Sequence, residues 1–361
     1  MRKILFIAPH RPDRAPSQRF RFEQYLGFLK DNDFCCTFSF LVSQTDDKLF
    51  YSNGKVFFKF FLFLKYFFIR LKDVLRAGKY DLVYIQREMF FIGPPVFEYL
   101  LKFTKTKVIF DFDDSIWLPN VSEANKNLNW LKSYSKTSKI IAYADMVFAG
   151  NKYLYDYACQ FNKNVKIIPT TINTAEYIRL KSDKETSKIC IGWSGSITTI
   201  QHFKFAEPFL KIIKEKYGEK IHIKVIGDKH YKNTGFDVEA LDWNKQDELK
   251  ELSSFDIGIM PLPDDRWAKG KCGLKGLQYM ALEIPTIMSP VGVNEEIIED
   301  GVNGFLATDV DRWVDKISLL IESEELRRQM GVNARKSVVD KYSFDAYKKV
   351  YWDIFTQLSV K

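Results

Sequence analysis

The chain has 361 residues, of which 46% are hydrophobic and 28% are charged, and its formal charge at pH 7 is +8. This composition excludes the disordered and fibrous classes of protein, and the length predicts two domains of ordinary size. The positive charge is typical of a protein with an anionic partner, which leaves phosphorylated metabolites, nucleic acid and acidic lipid open.

The cysteines and the N-terminal residues indicate the cellular compartment. Five cysteines without a CxxC pair predict neither a zinc site nor a disulfide framework. The apolar run in MRKILFIAPH is too short for a signal peptide, and no stretch reaches the roughly 18 apolar residues of a membrane span. We therefore expect a cytoplasmic protein whose first residues form a strand.

Short apolar runs alternate with helical patterns through the first half of the chain. This alternation predicts βα units that build a parallel sheet. The predicted strands are residues 3–8, 36–42, 81–86, 107–112, 145–150 and 165–169.

Residues 55–79 depart from this pattern because they are aromatic and basic together. Their cations include Lys59, Lys65, Arg70 and Lys72. We do not expect a buried helix or a membrane-spanning helix to carry these charges. Two interpretations remain: an interfacial helix that contacts anionic lipid, and a helix packed on the sheet whose lysines reach out to water.

A polar segment, residues 173–188, is interpreted as a linker between domains. A second series of predicted strands follows at residues 188–193, 221–228, 255–262 and 285–291. Helical patterns at residues 311–323, 324–342 and 344–358 close the chain. Two doubly wound α/β domains in tandem explain this order.

In doubly wound sheets ligands bind beyond the carboxyl ends of the strands, so the loops after the strands are the candidate sites. The loop GWSGSITT, residues 192–199, has Gly195 for close backbone approach and the hydroxyl groups of Ser194 and Ser196. This is the outline of a phosphate cradle. A simple tight connection from strand to helix has the same pattern.

A second loop, KGKCGLKGLQYM at residues 269–280, crowds cations at the start of a predicted helix. The three lysines are Lys269, Lys271 and Lys275, and no acidic residue lies among them. A helix N-terminus favours acidic residues, so this arrangement is an electrostatic misfit. A diphosphate would satisfy the lysines together with the backbone N–H groups of residues 272–274. The alternative is that the lysines point into water.

A third loop, residues 289–307, combines a strand end with several glycines. Residues 292–294 could place backbone groups near a ligand, but Gly301 and Gly304 favour interpretation as a tight turn.

The order of these segments resembles a known family. GWSGS, IGIMPL, GLKGLQYMALEIPTIMSPVGVNEEIIEDGVNGFLA and ARKSVVDKYSF are similar to the C-terminal domain of family 4 glycosyltransferases of the GT-B fold. KILFIAPHRPDRAPSQRFRFEQYLGFL, VYIQRE and FDFDDSIWL resemble the N-terminal half of bacterial members that build surface polysaccharides. The resemblance implies an α/β GT-B fold of two doubly wound, Rossmann-like parallel-sheet domains that face an interdomain cleft.

The resemblance also implies a division of labour and a reaction. Residues 1–172 would bind the acceptor and residues 173–343 the nucleotide-sugar donor, while a C-terminal helix, 344–361, would pack back on the first domain. The expected reaction moves a sugar from a nucleotide-sugar to a lipid-linked or other phosphorylated glycan, with retention of configuration and without a metal or another cofactor. We expect peripheral contact with an anionic membrane, at its cytoplasmic face, through residues 55–79.

For the donor, the resemblance implies contacts from Ser194, Gly195, Ser196, Leu262, Cys272, Gly273, Leu274, Lys275 and Gln278. The family usually has two glutamates eight positions apart where this chain has Gly270 and Gln278. Gln278 can still hydrogen-bond a ribose, whereas the sugar contact at the first position is lost or moved. Lys271 and Lys275 are our candidates for stabilising the departing diphosphate.

For the acceptor, the resemblance implies the loops after the first and fourth strands. The predicted acceptor-binding residues are His10, Arg19, Arg21 and Arg87. A lone histidine at a strand end is more often structural than catalytic. Asp113 or Asp114 would orient or deprotonate the acceptor hydroxyl. The alternative is that these aspartates cap the next helix and pair with nearby arginines.

The sequence is also compatible with two other functions. One is a GT-B sugar-nucleotide epimerase, which needs no acceptor. The other is a catalytically idle protein that binds nucleotide-sugars, which the two missing glutamates suggest. A nucleic-acid partner is not expected, because the basic residues follow strand ends instead of lining one aromatic face.

Overall fold

The computed structural model describes residues 1–52, 54–119, 133–180, 188–196 and 199–359. The chain divides into two compact units. Unit 1 comprises Met1–Thr170 together with Tyr347–Lys361, and unit 2 comprises Thr171–Ala346. The predicted linker at 173–188 lies at the start of unit 2, and its residues 181–187 are outside the described residues.

Unit 1 is built on a six-stranded parallel sheet with the strand order β2-β1-β3-β4-β5-β6. Its strands are runs of apolar residues because a parallel sheet is covered by helices on both faces. The strands are β1 (Arg2–His10), β2 (Phe34–Val42), β3 (Leu82–Gln86), β4 (Lys107–Phe112), β5 (Met146–Ala149) and β6 (Val165–Ile167). The helices between them are α1 (Pro16–Arg19), α2 (Leu26–Asp31), α3 (Gln44–Phe50), α4 (Val56–Ala77), α5 (Val96–Leu101), α6 (Lys136–Tyr143) and α7 (Lys152–Ala158).

Unit 2 repeats this architecture with the strand order β12-β11-β10-β7-β8-β9. Its strands are β7 (Ile189–Ser194), β8 (Ile221–Ile226), β9 (Glu239–Leu241), β10 (Ile257–Met260), β11 (Thr286–Met288) and β12 (Phe305–Leu306). Its helices are α8 (Ile200–Phe203), α9 (Glu207–Tyr217), α10 (Lys245–Ser253), α11 (Leu274–Ala281), α12 (Asn294–Ile297), α13 (Val310–Glu322) and α14 (Glu324–Lys341). The predicted fold class, two doubly wound α/β sheets, is confirmed. Among the strands in the described ranges, the short edge strands β9 and β12 had not been predicted.

The last helix, α15 (Phe344–Leu358), contributes to the core of unit 1. The Tyr351 ring stacks on Tyr25 with a centroid separation of 4.1 Å. Phe355 is fully buried and contacts the rings of Phe6 and Tyr84. Since burying one such side chain contributes about 1.5–3 kcal/mol, these two aromatic residues tie α15 firmly to the sheet.

Each sheet has a topological switch point. Here the strands before it are added on one side of the first strand, and the strands after it are added on the other side. In unit 1 the chain turns back between β1 and β3, and in unit 2 it turns back between β7 and β10. The carboxyl ends of such strand pairs form the crevice in which this class of fold binds ligands. Ligand-binding residues are therefore expected directly after β1, β3, β7 and β10.

Helix α4 has two contrasting faces. Arg70 is fully buried, and its guanidinium pairs with Asp73 at 2.8 Å and donates to the carbonyl oxygens of Met89 and Ala8. Lys59 is also buried and donates to the carbonyl oxygen of Ser52. The expectation that a buried face would not carry these cations was wrong, because each cation has an internal hydrogen-bond acceptor.

The opposite face of α4 is exposed and apolar. Its exposed side chains are Val56, Phe57, Phe58, Phe60, Phe61, Leu64, Phe67, Phe68 and Leu75. We call these nine residues the aromatic face. Among the described residues, no helix has both the length and the apolar character needed to cross a bilayer.

Candidate functional site

The loop after β7 is shaped by a glycine. A Cβ atom on Gly195 would lie 2.2 Å from Cη2 of Trp193, so only glycine fits at this position. The N–H of Ser194 donates to the Tyr279 hydroxyl oxygen at 2.7 Å, and the N–H of Ser196 donates to Oγ1 of Thr199 at 2.9 Å. Ser194 is buried and Ser196 is exposed, so Ser196 brings a hydroxyl group to the surface. Residues 197 and 198 of this loop are outside the described residues.

Helix α11 begins without the usual polar cap. Its N-cap is Gly273, which has φ +68°, and a Cβ atom there would lie 2.3 Å from Cδ1 of Ile297. No side chain in the described part of the chain caps this terminus, and its first turn has no acidic residue. By contrast, α13 and α14 begin with Asp309 and Ser323, whose side chains accept backbone N–H groups. The start of α11 is therefore suited to an external anion.

The three lysines around this helix start have different surroundings. Lys275 Nζ lies 4.7 Å from the centroid of the Trp193 ring, and Lys271 Nζ lies 5.3 Å from that of the Trp267 ring. Lys269 instead pairs with Asp264 at 3.0 Å. Cation–π contact with indole rings positions the first two ammonium groups. The idea that all three lysines serve one anion is corrected for Lys269, whose charge a carboxylate offsets.

Two buried polar atoms lie close to these elements without a hydrogen-bond partner among the described residues. One is Nε1 of Trp193, beneath Gly195, and the other is Oδ1 of Asn294. Asn294 Oδ1 would lie 3.6 Å from a Cβ atom on Gly273. The sequence drew attention only to the backbone at residue 294, within a loop interpreted as a tight turn. Trp193 was missed, although a tryptophan directly before a glycine-rich strand end was a visible signal.

The remaining predicted donor residues are more buried. The Leu262 N–H donates to Oγ of Ser289 at 2.9 Å, which joins the loops after β10 and β11. Cys272 is buried, and Leu274 is half-buried in the first turn of α11. These residues shape the loop with their backbones.

Gln278 belongs to an internal network. It is buried, and its Nε2 donates to the Tyr177 hydroxyl at 3.0 Å and to Oε1 of Glu248 at 3.3 Å. Tyr177 and Trp243 donate to the same carboxylate. The amide nitrogen of Gln278 therefore belongs to this network, and the contact of Gln278 with a ribose stays a prediction.

In unit 1, His10 is held at the end of β1 by a buried glutamine. Gln18 accepts from the His10 N–H at 2.9 Å and donates to the His10 carbonyl at 2.8 Å. Burial, reinforced by Arg14, lowers the pKa of His10 to about 4. His10 is therefore neutral at neutral pH, and its ring lies near Tyr51 and Phe91.

The predicted acceptor arginines separate into two classes. Arg21 is fully buried and forms a two-pronged ion pair with Asp111, which is also fully buried. It donates as well to the carbonyl of Ile168. The assignment of Arg21 to an acceptor is corrected, since its donors are used inside the fold. Arg19 is half-buried, and its guanidinium lies over the Phe20 ring.

Arg87, after β3, and the two aspartates after β4 form a charged cluster at the carboxyl edge of the sheet, next to the switch point. Arg87 is a non-glycine residue at φ +65°, a conformation that costs about 1–3 kcal/mol and is characteristic of functional sites. Its Nη1 pairs with Oδ2 of Asp114 at 3.2 Å. Burial and the neighbouring Asp114 raise the pKa of Asp113 to about 6. Asp114 thus acts as the partner of Arg87, and Asp113 is the aspartate suited to proton transfer.

The sequence missed one residue of this edge, Gln86. It is fully buried at the end of β3, and neither of its amide atoms has a hydrogen-bond partner in the described ranges. Within those ranges, no three His, Cys, Asp or Glu side chains come together in a metal-ligating group.

Comparison with known proteins adds to this geometry. Residues 189–323 match the model of the family described as Glycosyl transferases group 1. The chain is 26% identical over 215 residues to the N-acetyl-alpha-D-glucosaminyl L-malate synthase of Bacillus anthracis, a match that spans 54% of this chain and only 55% of that relative. It is 25% identical over 283 residues to an uncharacterized glycosyltransferase of Methanocaldococcus jannaschii, which covers 72% of this chain and 70% of that protein.

The fold of the whole chain also matches that of solved structures. HepE of Anabaena, crystallised with UDP and glucose, superimposes with a TM-score of 0.66 at 14% identity, covering 99% of this chain and 100% of that one. The family match falls on the unit that carries the uncapped α11 helix and its lysines. Residues 189–323 are therefore similar to the group 1 glycosyltransferases, and the two doubly wound sheets have the fold of solved structures of the GT-B type.

Proposed function

We propose that the protein transfers a sugar from a nucleoside diphosphate sugar to a lipid-linked or otherwise phosphorylated glycan, with retention of configuration. The observation that carries this proposal is the start of α11, where an uncapped helix N-terminus without acidic residues coincides with two lysines held over indole rings. This start follows β10 at the switch point of unit 2. A diphosphate would match the positive charge of the lysines and of the helix N-terminus.

The choice of nucleotide is supported by HepE, whose structure was solved with UDP and glucose. We therefore propose a UDP-sugar as the first donor to test. In the proposed reaction the bond between the anomeric carbon and the diphosphate oxygen breaks, and negative charge develops on the diphosphate. Lys275, Lys271 and the N–H groups of α11 stabilise this charge, which makes them the main electrostatic contribution to the rate.

On the acceptor side, we propose that Asp113 takes the proton of the attacking hydroxyl. The hydroxyl oxygen bonds to the anomeric carbon on the face from which the diphosphate leaves, as retention in a single step requires. Its raised pKa, about 6, is close to the value at which a carboxylate is an effective general base near neutral pH. His10, Arg19 and Arg87 surround the acceptor in this proposal. The reaction uses no metal, since the lysines and helix N–H groups fill the electrostatic role that a divalent cation has in other transferases.

We also propose that the aromatic face of α4 contacts an anionic lipid surface. Nine exposed apolar side chains on one helix are unusual for a surface that meets only water. Exposed lysines at residues 55, 65, 72 and 79 accompany them, and a helix with aromatic and basic side chains is suited to the boundary between head groups and acyl chains. This contact would bring the enzyme to a lipid-linked acceptor.

The donor proposal is tested by thermal shift of the full chain with UDP, GDP, ADP and their glucose conjugates. A ligand that binds only the native state raises the melting temperature, by an amount that grows with its concentration over Kd. We expect a shift with one nucleotide and its loss in Lys275→Ala. Lys220→Ala is the matched control, because Lys220 is exposed beside the amino end of β8 and should keep the shift. An undiminished shift in Lys275→Ala would refute the assignment.

The two rival functions are separated by turnover with and without acceptor. Epimerisation of the donor sugar in the absence of acceptor would replace our proposal with the epimerase. Nucleotide binding without turnover on any lipid-linked glycan would favour the idle binding protein.

A further inference from the structure

Two buried glutamines of unit 1 behave differently. Gln18 and Gln86 are both 0% exposed. The amide of Gln18 is satisfied by the backbone of His10 and by Glu23. The amide of Gln86 has neither an acceptor for Nε2 nor a donor for Oε1 among the described residues. A buried amide without partners is costly, so the Gln86 amide needs a partner that the described residues do not supply.

The position of Gln86 indicates what kind of partner this is. It is the last residue of β3, which lies between β1 and β4, so it stands at the switch point where ligands bind. It pairs in register with Asp111 and directly precedes the strained Arg87. A buried polar group without a partner, next to backbone held in a sparsely populated conformation, marks a ligand site rather than a packing defect.

The hydrogen-bonding capacity of the amide limits which chemical groups can be its partner. Nε2 needs an acceptor and Oε1 needs a donor, and a hydroxyl group supplies both. Phosphate and carboxylate groups at neutral pH offer Oε1 no proton, and an ammonium group offers Nε2 no lone pair. A sugar, which carries several hydroxyl groups, fits this combination best.

We infer that Gln86 hydrogen-bonds a sugar hydroxyl group of the acceptor and is a specificity-determining residue for it. This inference rests on the proposed glycosyl transfer and deepens its acceptor side. In this inference the Gln86 amide hydrogen-bonds one hydroxyl group of the acceptor sugar, and Asp113 deprotonates a neighbouring hydroxyl group of the same acceptor. An acceptor that lacks this hydroxyl leaves the amide unpartnered and binds more weakly.

The test compares Gln86→Leu and Gln86→Met with Gln18→Leu in the full chain without donor. The probes are methyl α-D-glucopyranoside, methyl α-D-galactopyranoside, methyl 2-acetamido-2-deoxy-α-D-glucopyranoside and their monodeoxy analogues, with binding measured by saturation-transfer NMR. At least one glycoside should bind the wild type, and both Gln86 variants should weaken it by roughly 5- to 100-fold. They should also lose the preference for that glycoside over one of its deoxy analogues.

Thermal unfolding provides the second readout. Removing the unpartnered amide should leave the melting temperature of the Gln86 variants unchanged or raise it by about 2–4 °C. Gln18→Leu should lower it, because the backbone of His10 then loses its partners. A lower melting temperature in both Gln86 variants would show that internal water satisfies the amide, and the inference would fail.

The remaining outcomes are equally decisive. Unchanged glycoside binding in the Gln86 variants, or no glycoside binding to the wild type, overturns the inference even if UDP still raises the melting temperature. Failure of every nucleotide to raise it overturns the proposed function instead, so the two failures are distinguishable.

Discussion

The carboxyl edges of the two sheets share a topology and differ in charge. At the edge of unit 2, Lys271 and Lys275 lie over indole rings beside an uncapped helix N-terminus. At the edge of unit 1, Asp113 has a raised pKa of about 6, Asp114 holds Arg87, and Gln86 has an unpartnered amide. We propose that the edge of unit 2 binds an anion and that the edge of unit 1 binds a hydroxyl group and accepts its proton. The same fold is thus specialised by the few residues after its strands.

The largest effect, a loss of stability, is expected from breaking the buried Arg21–Asp111 ion pair in unit 1. Arg21→Met leaves the Asp111 carboxylate buried without its cation, which should lower the free energy of unfolding by about 3–5 kcal/mol. Denaturant unfolding followed by circular dichroism measures the change. Arg19→Met, a half-buried control two residues away, should change it by no more than about 0.5 kcal/mol. Equal effects of the two variants would contradict the structural role given to Arg21.

The next largest effect is expected when the Lys275 cation at the edge of unit 2 is removed. Lys275→Ala should lower kcat by about 10²–10³, because the departing diphosphate loses a preorganised positive charge. Initial rates of UDP release with a lipid-linked glycan measure this, and Lys220→Ala should retain the wild-type rate. A change confined to KM, with kcat intact, would mean that Lys275 binds the donor without favouring the transition state.

The proton-transfer role of unit 1 should appear as a pH dependence. Asp113→Asn should lower kcat by about 10²-fold. In the wild type, kcat/KM should fall as the pH drops below about 6, because Asp113 must be deprotonated to accept a proton. The variant should lack this acidic limb, and a variant that kept it would assign the titration to another group.

The same titration has a defined sign for stability. The pKa of Asp113 is raised from 3.8 to about 6, so folding favours its protonated form. Its contribution to the free energy of unfolding is therefore greatest below pH 4 and is lost as the pH rises to about 6. In Asp113→Asn this loss should be absent.

A smaller effect is expected from changes to the aromatic face of α4. No helix in the described part of unit 2 has a comparable face. Phe57 and Phe61 contact each other and are 68% and 53% exposed. Replacing both with Ser should weaken co-sedimentation with vesicles of phosphatidylglycerol and phosphatidylcholine in equal parts by about tenfold or more. The control is the double variant of Phe161 and Phe205, which are exposed elsewhere. Equal loss in both would argue against a specific lipid-binding face, and a concentration-dependent dimer lost in the first variant would identify a second copy as the occupant.

No effect is expected from a chelator. Excess EDTA should leave kcat unchanged, because the lysines and the α11 N–H groups carry the diphosphate charge. Loss of activity that Mg²⁺ restores would show that the cationic edge of unit 2 is insufficient by itself.

The sequence predicted the fold well where the signals are local. Apolar runs marked every long strand, and glycines marked the loops at Gly195 and Gly273, because close packing at these points leaves room for no other residue. The edge strands β9 and β12 span only three and two residues, and their pairing, which depends on the neighbouring strand, defines them.

The partners of side chains were harder to predict because they come from distant parts of the chain. Arg21 pairs with Asp111, 90 residues away, and Gln278 donates to Tyr177, 101 residues away. No spacing in the sequence reveals such pairs, so both residues were assigned to ligands. The buried Arg70 on α4 was misjudged for the same reason, since two of its acceptors are backbone carbonyls of other elements.

Helix α15 has a consequence for how the molecule is made. Its rings complete the core of unit 1, yet the ribosome produces them only after the whole of unit 2. Until then Phe6, Tyr84 and Phe148 lack the aromatic side chains that cover them, whereas unit 2 is contiguous and can fold as soon as it emerges. Domains usually fold in the order in which they are synthesised, N-terminal first, but unit 1 can complete its core only after unit 2 has been made.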